Sequence, residues 1–292
     1  MDNEKPPLPQ GTIFCGKGGF MHWADRKEDL GMVYVLFFII SFLASIAGAI
    51  CGIGGGVIIK PLLDSFGLMD VKTISFLSGC TVLAMSTYSF VVSKVKKESL
   101  VDMRIGTPLA VGAAIGGVLG KSLFQALVSS FDQNYVGAIQ AACLLAVTLG
   151  TLIYTIYKAK VKTLRVTNLI VCLLVGLVLG IMSSFLGIGG GPINLVVLFF
   201  FFSMPTKTAA QNSLYIILFS QITSLLNSIV TATIPAFSIA LLALMAAGGI
   251  LGGFCGRKIN KKIDDHKVDL LFMGLMIVII FINIYNMYRF LV

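Results

Sequence analysis

From about residue 33 to the C-terminus, apolar runs at least as long as the ~20 residues that cross a bilayer follow one another, separated only by short polar stretches. No soluble domain fits between them. With 57% hydrophobic and 12% charged residues, the chain of 292 residues also lacks the polar surface that a water-soluble fold of this size needs. In hydrocarbon the backbone must satisfy its own N–H and C=O groups, and runs of this length do so as helices. The expected fold class is an all-α polytopic membrane protein.

Residues 1–32 differ, mixing prolines, glycines and both charge signs, with no small-residue cleavage site after a short apolar stretch. They read as a surface tail and not as a signal peptide. Cys15 and His22 lie in it, but a lone Cys and His without a second spaced pair do not make a metal site. Cys51, Cys80, Cys143, Cys172 and Cys255 lie in apolar runs without CxxC spacing, which points to packing. No cofactor or metal is expected. The net charge of +9 does not indicate nucleic acid, because the basic residues cluster in short loops between apolar spans.

The oiliest regions contain an anomaly: GIGGGVIIKP at 52–61 returns as GIGGGPINLV at 187–196. At an offset of 135, residues 52–78 align with 187–213 without a gap, and twelve of the 27 positions are identical, among them Lys72 with Lys207 and Ser78 with Ser213. A second match, GGVLG at 116–120 with GGILG at 248–252, needs an offset of 132 and keeps the order of elements. The chain is therefore read as a duplication. A tail (1–32) precedes a first membrane repeat (33–157), and a basic linker (158–167) leads to a second repeat (168–292). Each repeat opens with a glycine-broken run, 33–66 or 167–203. Spans at 73–93, 105–128 and 135–157 follow the first run, and spans at 208–231, 236–256 and 268–291 follow the second.

Charge then sets the orientation. Lys94, Lys96, Lys97 and Arg104 form one basic loop, Lys158, Lys160, Lys162 and Arg165 a second, and Arg257, Lys258, Lys261, Lys262 and Lys267 a third. All three are expected to be cytoplasmic, and loops 129–134 and 232–235, which hold no basic residue, external. For both flanks of the second repeat to satisfy this, run 167–203 must enter and return to the same face. Thirty-seven helical residues would reach about 55 Å against a core of ~30 Å, so a turn-back at the glycines is reasonable. Two inverted repeats of about five helical elements result.

Inverted repeats with interrupted helices place a substrate at the repeat interface of secondary transporters. A broken helix leaves N–H groups without partners, glycine lets a ligand approach the backbone, and the following helix adds partial positive charge. Gly54, Gly55 and Gly56, with Gly189, Gly190 and Gly191, are thus read as anion-binding turns. Pro192 suits a first helical turn. Gly112, Gly116 and Gly120, like Gly248, Gly252 and Gly256, read instead as close-packing faces.

Polar candidates beside the turns are Asn194, Gln211, Asn212, Ser213 and Ser78. Lys72 and Lys207, at equivalent span starts, are candidates for gathering anions at two mouths. Lys60 and Asp64 are four apart and able to pair, although snorkelling would also account for Lys60. Lys121 is read as an interfacial anchor. No span contains Glu or His, which disfavours an enzyme.

The paired GIGGG turns, PTKTAAQNS at 205–213 and GGILG at 248–252 resemble the TauE/SafE sulfite exporter family, also called the toluene sulfonate uptake permeases, over about residues 33–291. The resemblance implies a cell-membrane transporter of sulfite, sulfonates such as sulfoacetate, or related small organosulfur anions. The family's glycine turns map onto Gly54 to Gly56 and Gly189 to Gly191, and its polar segment onto Gln211, Asn212 and Ser213. Here Phe76 and Leu77 stand opposite Gln211 and Asn212, so the polar set is not symmetric. The expected function is alternating-access carriage, as an exporter, of a small sulfur oxyanion in the plasma membrane, with a homo-oligomer left open. The rival reading is a non-transporting membrane assembly or scaffold protein.

Overall fold

The structure is a computed structural model and describes residues 27–291. The tail positions Cys15 and His22 lie outside the described residues. Ten α-helices follow in order: α1 (Lys27–Cys51), α2 (Gly56–Phe66), α3 (Val71–Val95), α4 (Met103–Ser130), α5 (Gln133–Tyr157), α6 (Leu169–Leu186), α7 (Pro192–Phe202), α8 (Thr206–Val230), α9 (Ile239–Lys262) and α10 (Asp265–Leu291). Eight of these, all except α2 and α7, contain stretches long and apolar enough to cross a membrane. Helix α1 starts earlier than the apolar pattern, because Lys27 to Leu30 continue it with good helix formers.

Capping sets several boundaries. Asp102 accepts from Arg104 N, Asp132 from Asn134 N, and Asn168 from Ile170 N and Val171 N. Between these caps the usual surface rule is reversed, since Val111, Ile115 and Leu119 of α4 and Val278, Phe281 and Ile284 of α10 are exposed. Such faces suit lipid. Several buried threonine hydroxyls bond within their own helices, as Thr81 donates to Leu77 O at 2.8 Å and Thr148 to Leu144 O at 2.7 Å.

Two glycine stripes hold the bundle together. A Cβ at Gly112, Gly116 or Gly120 would stand 2.1, 2.2 or 2.3 Å from the carbonyl oxygen of Leu173, Leu177 or Ile181, so α4 and α6 touch backbone to backbone. Gly248, Gly252 and Gly256 meet the carbonyls of Phe38, Phe42 and Ile46 in the same way, joining α9 to α1. Because Phe38, Phe42 and Ile46 are the repeat partners of Leu173, Leu177 and Ile181, Gly112 corresponds to Gly248 and Gly116 to Gly252. The letter match of GGVLG with GGILG is therefore one helical turn out of register. A stripe that repeats every four residues looks the same after a slip of four, and only the partner helix distinguishes the two alignments.

Both short helices fold back. Ile59 and Leu63 of α2 share an apolar cluster with Phe37, Ile40 and Ala44 of α1. At the end of α7, Phe200 O and Phe201 O accept from Leu164 N and Val166 N at 2.7 and 2.9 Å, which returns α7 to the segment just before α6. The run 167–203 is a hairpin.

Candidate functional site

Each hairpin turns on its glycines. In the first, Gly52 and Gly54 have φ of 77° and 74°; in the second, Gly187, Gly189 and Gly190 have φ of 66°, 71° and 145°. Side chains rarely adopt this region. Gly191 is extended and caps α7, with Pro192 at its first position, where a missing N–H leaves nothing unpaired. Among the described residues no acceptor is found for the N–H groups of Gly54, Gly55, Gly189, Gly190 and Gly191. The carbonyl ends of the broken helices are served by amides: Asn260 donates to Ile50 O at 2.6 Å and Gln140 to Phe185 O at 2.5 Å.

The two turns press against each other. A Cβ at Gly56 would lie 2.0 Å from Ile188 O, one at Gly189 would meet Val82, and one at Gly190 would meet Ile217. Val82 and Ile217 are repeat partners at the middle of α3 and α8. Equally, Gly52 abuts Ala210 and Gly187 abuts Ser75, again partner positions with the halves exchanged. Ile53, Val82, Ile188 and Ile217 are fully buried, so the seam between the turns is apolar and shut.

Polar space lies on either side of that seam. One cavity, of about 50 Å³, is lined by Ser89, Ser93, Lys207, Gln211, Tyr215 and Arg257, and reaches Ala49 at the first turn. The other, of about 20 Å³, is lined by Ser75, Cys80, Lys121, Gln221, Ser224 and Ser228, and reaches Gly187 at the second. These cavities correspond. Ser89 and Ser93 are the partners of Ser224 and Ser228, Tyr215 that of Cys80, and Arg257, which follows Gly256, that of Lys121, which follows Gly120.

Of the residues singled out in the sequence, Lys207 and Gln211 line the first cavity. Gln211 Oε1 accepts from Leu100 N at 2.8 Å and Ser93 Oγ at 3.3 Å, tying the α3–α4 loop to α8. Asn212 donates to Thr208 O at 2.9 Å and Leu100 O at 3.4 Å. Asn194, Ser213 and Ser78 are fully buried, and Asn194 Oδ1, Asn212 Oδ1 and both serine hydroxyls have no partner. Neither these nor half-buried Lys72 line either cavity.

Two basic residues are decided by the packing. Of its two readings Lys60 takes the pairing and not the snorkelling one, being buried and paired with buried Asp64 at 2.5 Å. Lys121 is no interfacial anchor, since it is 8% exposed and its ammonium lies 5.1 Å from the Phe124 ring centre inside the bundle. Sequence reasoning missed Lys121 and Arg257 as a pair. The signal was a basic residue directly after the last glycine of each stripe, visible only in the correct register. No group of His, Cys, Asp and Glu among the described residues could hold a metal ion.

The family model described as sulfite exporter TauE/SafE matches residues 37–282. A probable membrane transporter protein of Bacillus subtilis, YunE, is 22% identical over 272 residues, covering 85% of this chain and 96% of that one. A probable membrane transporter protein of Methanocaldococcus jannaschii, MJ0441, is 25% identical over 256 residues, covering 82% and 91%. No solved structure matches the chain.

Proposed function

Since the chain belongs to the sulfite exporter TauE/SafE family and is a multi-pass membrane transporter, we propose that it exports a small sulfur-containing oxyanion, such as sulfite or a sulfonate, by alternating access between two inverted repeats. The observation that carries this reading is the pair of corresponding polar cavities on opposite sides of one apolar seam. An anion in the second cavity meets Gly187 of its turn, one in the first meets Ala49 just before the other turn, and parting Val82 from Ile217 would pass it from one side to the other. The N–H groups of Gly54 to Gly56 and Gly189 to Gly191 are the fixed donors. Lys207 and Gln211 receive the anion on one side and Lys72 draws it towards the other, while Asn194, Asn212, Ser213 and Ser78 offer further hydrogen bonds as the seam opens. Inversion is supported by the hairpin return of α7, and a two-fold relation of the halves by the exchanged contacts, in which α4 meets α6 as α9 meets α1. The basic loops are then cytoplasmic, in the plasma membrane.

The test is flux of sulfite, sulfate, sulfoacetate, taurine and acetate into liposomes, alongside thermal stabilisation of the purified protein by each. A sulfur oxyanion should be carried and should raise the melting temperature, and Gly190→Val and Gln211→Ala should reduce both effects at least tenfold. Equal indifference to every anion would sink the reading.

A further inference from the structure

Lys121 and Arg257 occupy the same place in the two halves, yet their charges are met differently. Arg257 donates to Glu98 Oε2 at 2.8 Å and to Ser89 O at 3.2 Å, and Lys261 donates to the same carboxylate oxygen. The partner positions of Lys261 and Glu98 in the other half are Gln125 and Thr233, which also hydrogen-bond each other but carry no charge. Lys121 therefore has no counterpart to Glu98. No carboxylate among the described residues lies within ion-pair distance of it.

A buried ammonium without a counter-ion carries a large desolvation penalty in an apolar interior. Around Lys121 stand neutral hydrogen-bonding groups, Gln221, Ser224, Ser228 and Ser75, and the Ser75 hydroxyl is 4% exposed without any partner. One cation among neutral donors suits a single oxyanion. In the other half a carboxylate already sits on the corresponding cation, because Glu98 pairs with Arg257, one of the residues that line the cavity there.

We propose that the Lys121 cavity is an oxyanion-binding site, and that at its Arg257 counterpart the Glu98 carboxylate stands where the same class of ligand binds, so that ligand and Glu98 compete. This rests on the reading of the protein as an anion carrier. At about 20 Å³ the Lys121 cavity has room for one water. Loading it requires that side to open, which alternating access supplies. The Arg257 cavity, at about 50 Å³, is the larger one, and there Arg257 is already engaged.

Cys80 lines the Lys121 cavity and serves as the probe. In a protein whose other five cysteines are alanine, the rates of Cys80 modification by an anionic sulfonatoethyl and a cationic trimethylammonioethyl methanethiosulfonate report the local charge. Lys121 should favour the anionic reagent, Lys121→Gln should lower the anionic-to-cationic rate ratio about tenfold, and Lys121→Arg should preserve it. Millimolar sulfate should slow Cys80 modification in the protein that retains Lys121, a readout that needs no neutral variant to fold. A ratio unchanged by Lys121→Gln, no protection by sulfate, or a Cys80 that neither reagent reaches would each overturn the proposal. Liposome anion flux unchanged in Lys121→Gln would overturn it while leaving the carrier reading intact. A charge-selective Cys80 in a protein with no anion flux would leave the site and remove the carrier.

Discussion

A Cβ added at Gly56 would stand 2.0 Å from the carbonyl oxygen of Ile188, whereas one added at Gly54 would find its nearest neighbours, Val82 and Ile217 methyl groups, at 3.4 and 3.5 Å. The two glycines are adjacent but one, and serve different needs. Gly54 is required for its φ of 74°, a conformation that costs an L-residue about 1–2 kcal/mol. Gly56 is required because backbone meets backbone. Gly54→Ala should therefore fold with stability reduced by about 1–2 kcal/mol, while Gly56→Ala should fail to yield folded protein. The yield of monodisperse protein from each variant, with thermal denaturation in detergent of Gly54→Ala against the parent, checks this, and a Gly56→Ala protein that folds with a similar loss would refute the distinction. That the helices break at these glycines was legible in the sequence; that Gly56 and Gly189 also serve close packing was not, because their nearest neighbours, Ile188 and Val82, come from the other half of the chain. The role of Lys121 was not, since a lysine more than two turns from a helix end reads as a stem reaching for the interface. Only the packing of α4 shows its ammonium turned inward.

Helix pairs show the same logic one level up. Gly116 and Gly252, where an added Cβ would stand 2.2 and 2.4 Å from Leu177 O and Phe42 O, should be similarly intolerant of valine, each loss exceeding the ~1 kcal/mol of ordinary helix substitutions. Gly150 in α5 has nothing within 4 Å of its Cβ direction, so Gly150→Ala should be neutral or stabilising by up to about 1 kcal/mol. Paired melting curves of the three variants decide it. The loop between α3 and α4 is held differently, by Glu98 against Lys261 and Arg257. Hydrogen bonding from Lys261, and then from Arg257, lowers the Glu98 pKa from its ordinary value. A lowered carboxylate pKa means that the stabilisation is complete at neutral pH and is lost as pH falls below the ordinary glutamate value, through the lowered one. Glu98→Gln should flatten that acid limb, and because the contact is solvent-exposed the change should be small. Melting temperatures at pH 7 and pH 3 for both proteins measure it. Element number and the glycine breaks could be read in advance because length and composition dictate them. Register could not, because the stripe's four-residue period leaves alternatives that only α1 and α6 resolve.

For the whole molecule the decisive matter is how the halves face the bilayer. The return of Phe200 and Phe201 to Leu164 and Val166 means that α6 and α7 together bring the chain back to its starting side, leaving α8, α9 and α10 as three crossings. If α1 and α2 do the same, each half makes an odd number of crossings and the second begins on the opposite face from the first. Charge argues for this arrangement, since a single crossing by run 167–203 would put the loop richest in lysine and arginine outside. The corresponding contacts require one two-fold operation that maps α4 on α6 to α9 on α1. Such an operation can lie in the membrane plane or along its normal, and only the first inverts the halves. The two differ in one measurable respect. With single cysteines in a protein otherwise lacking them, an impermeant maleimide applied to intact cells should label Asp132→Cys and Thr233→Cys but spare Lys97→Cys and Lys162→Cys, and inside-out vesicles should show the reverse. An axis along the normal would instead put Thr233 on the same face as its partner Glu98 in the α3–α4 loop, one crossing of α4 away from Asp132, so that Asp132 and Thr233 would lie on opposite faces. Labelling of Asp132→Cys and Thr233→Cys from different faces would rule out inversion, and with it any carrier that exchanges two equivalent cavities across the seam at Val82 and Ile217.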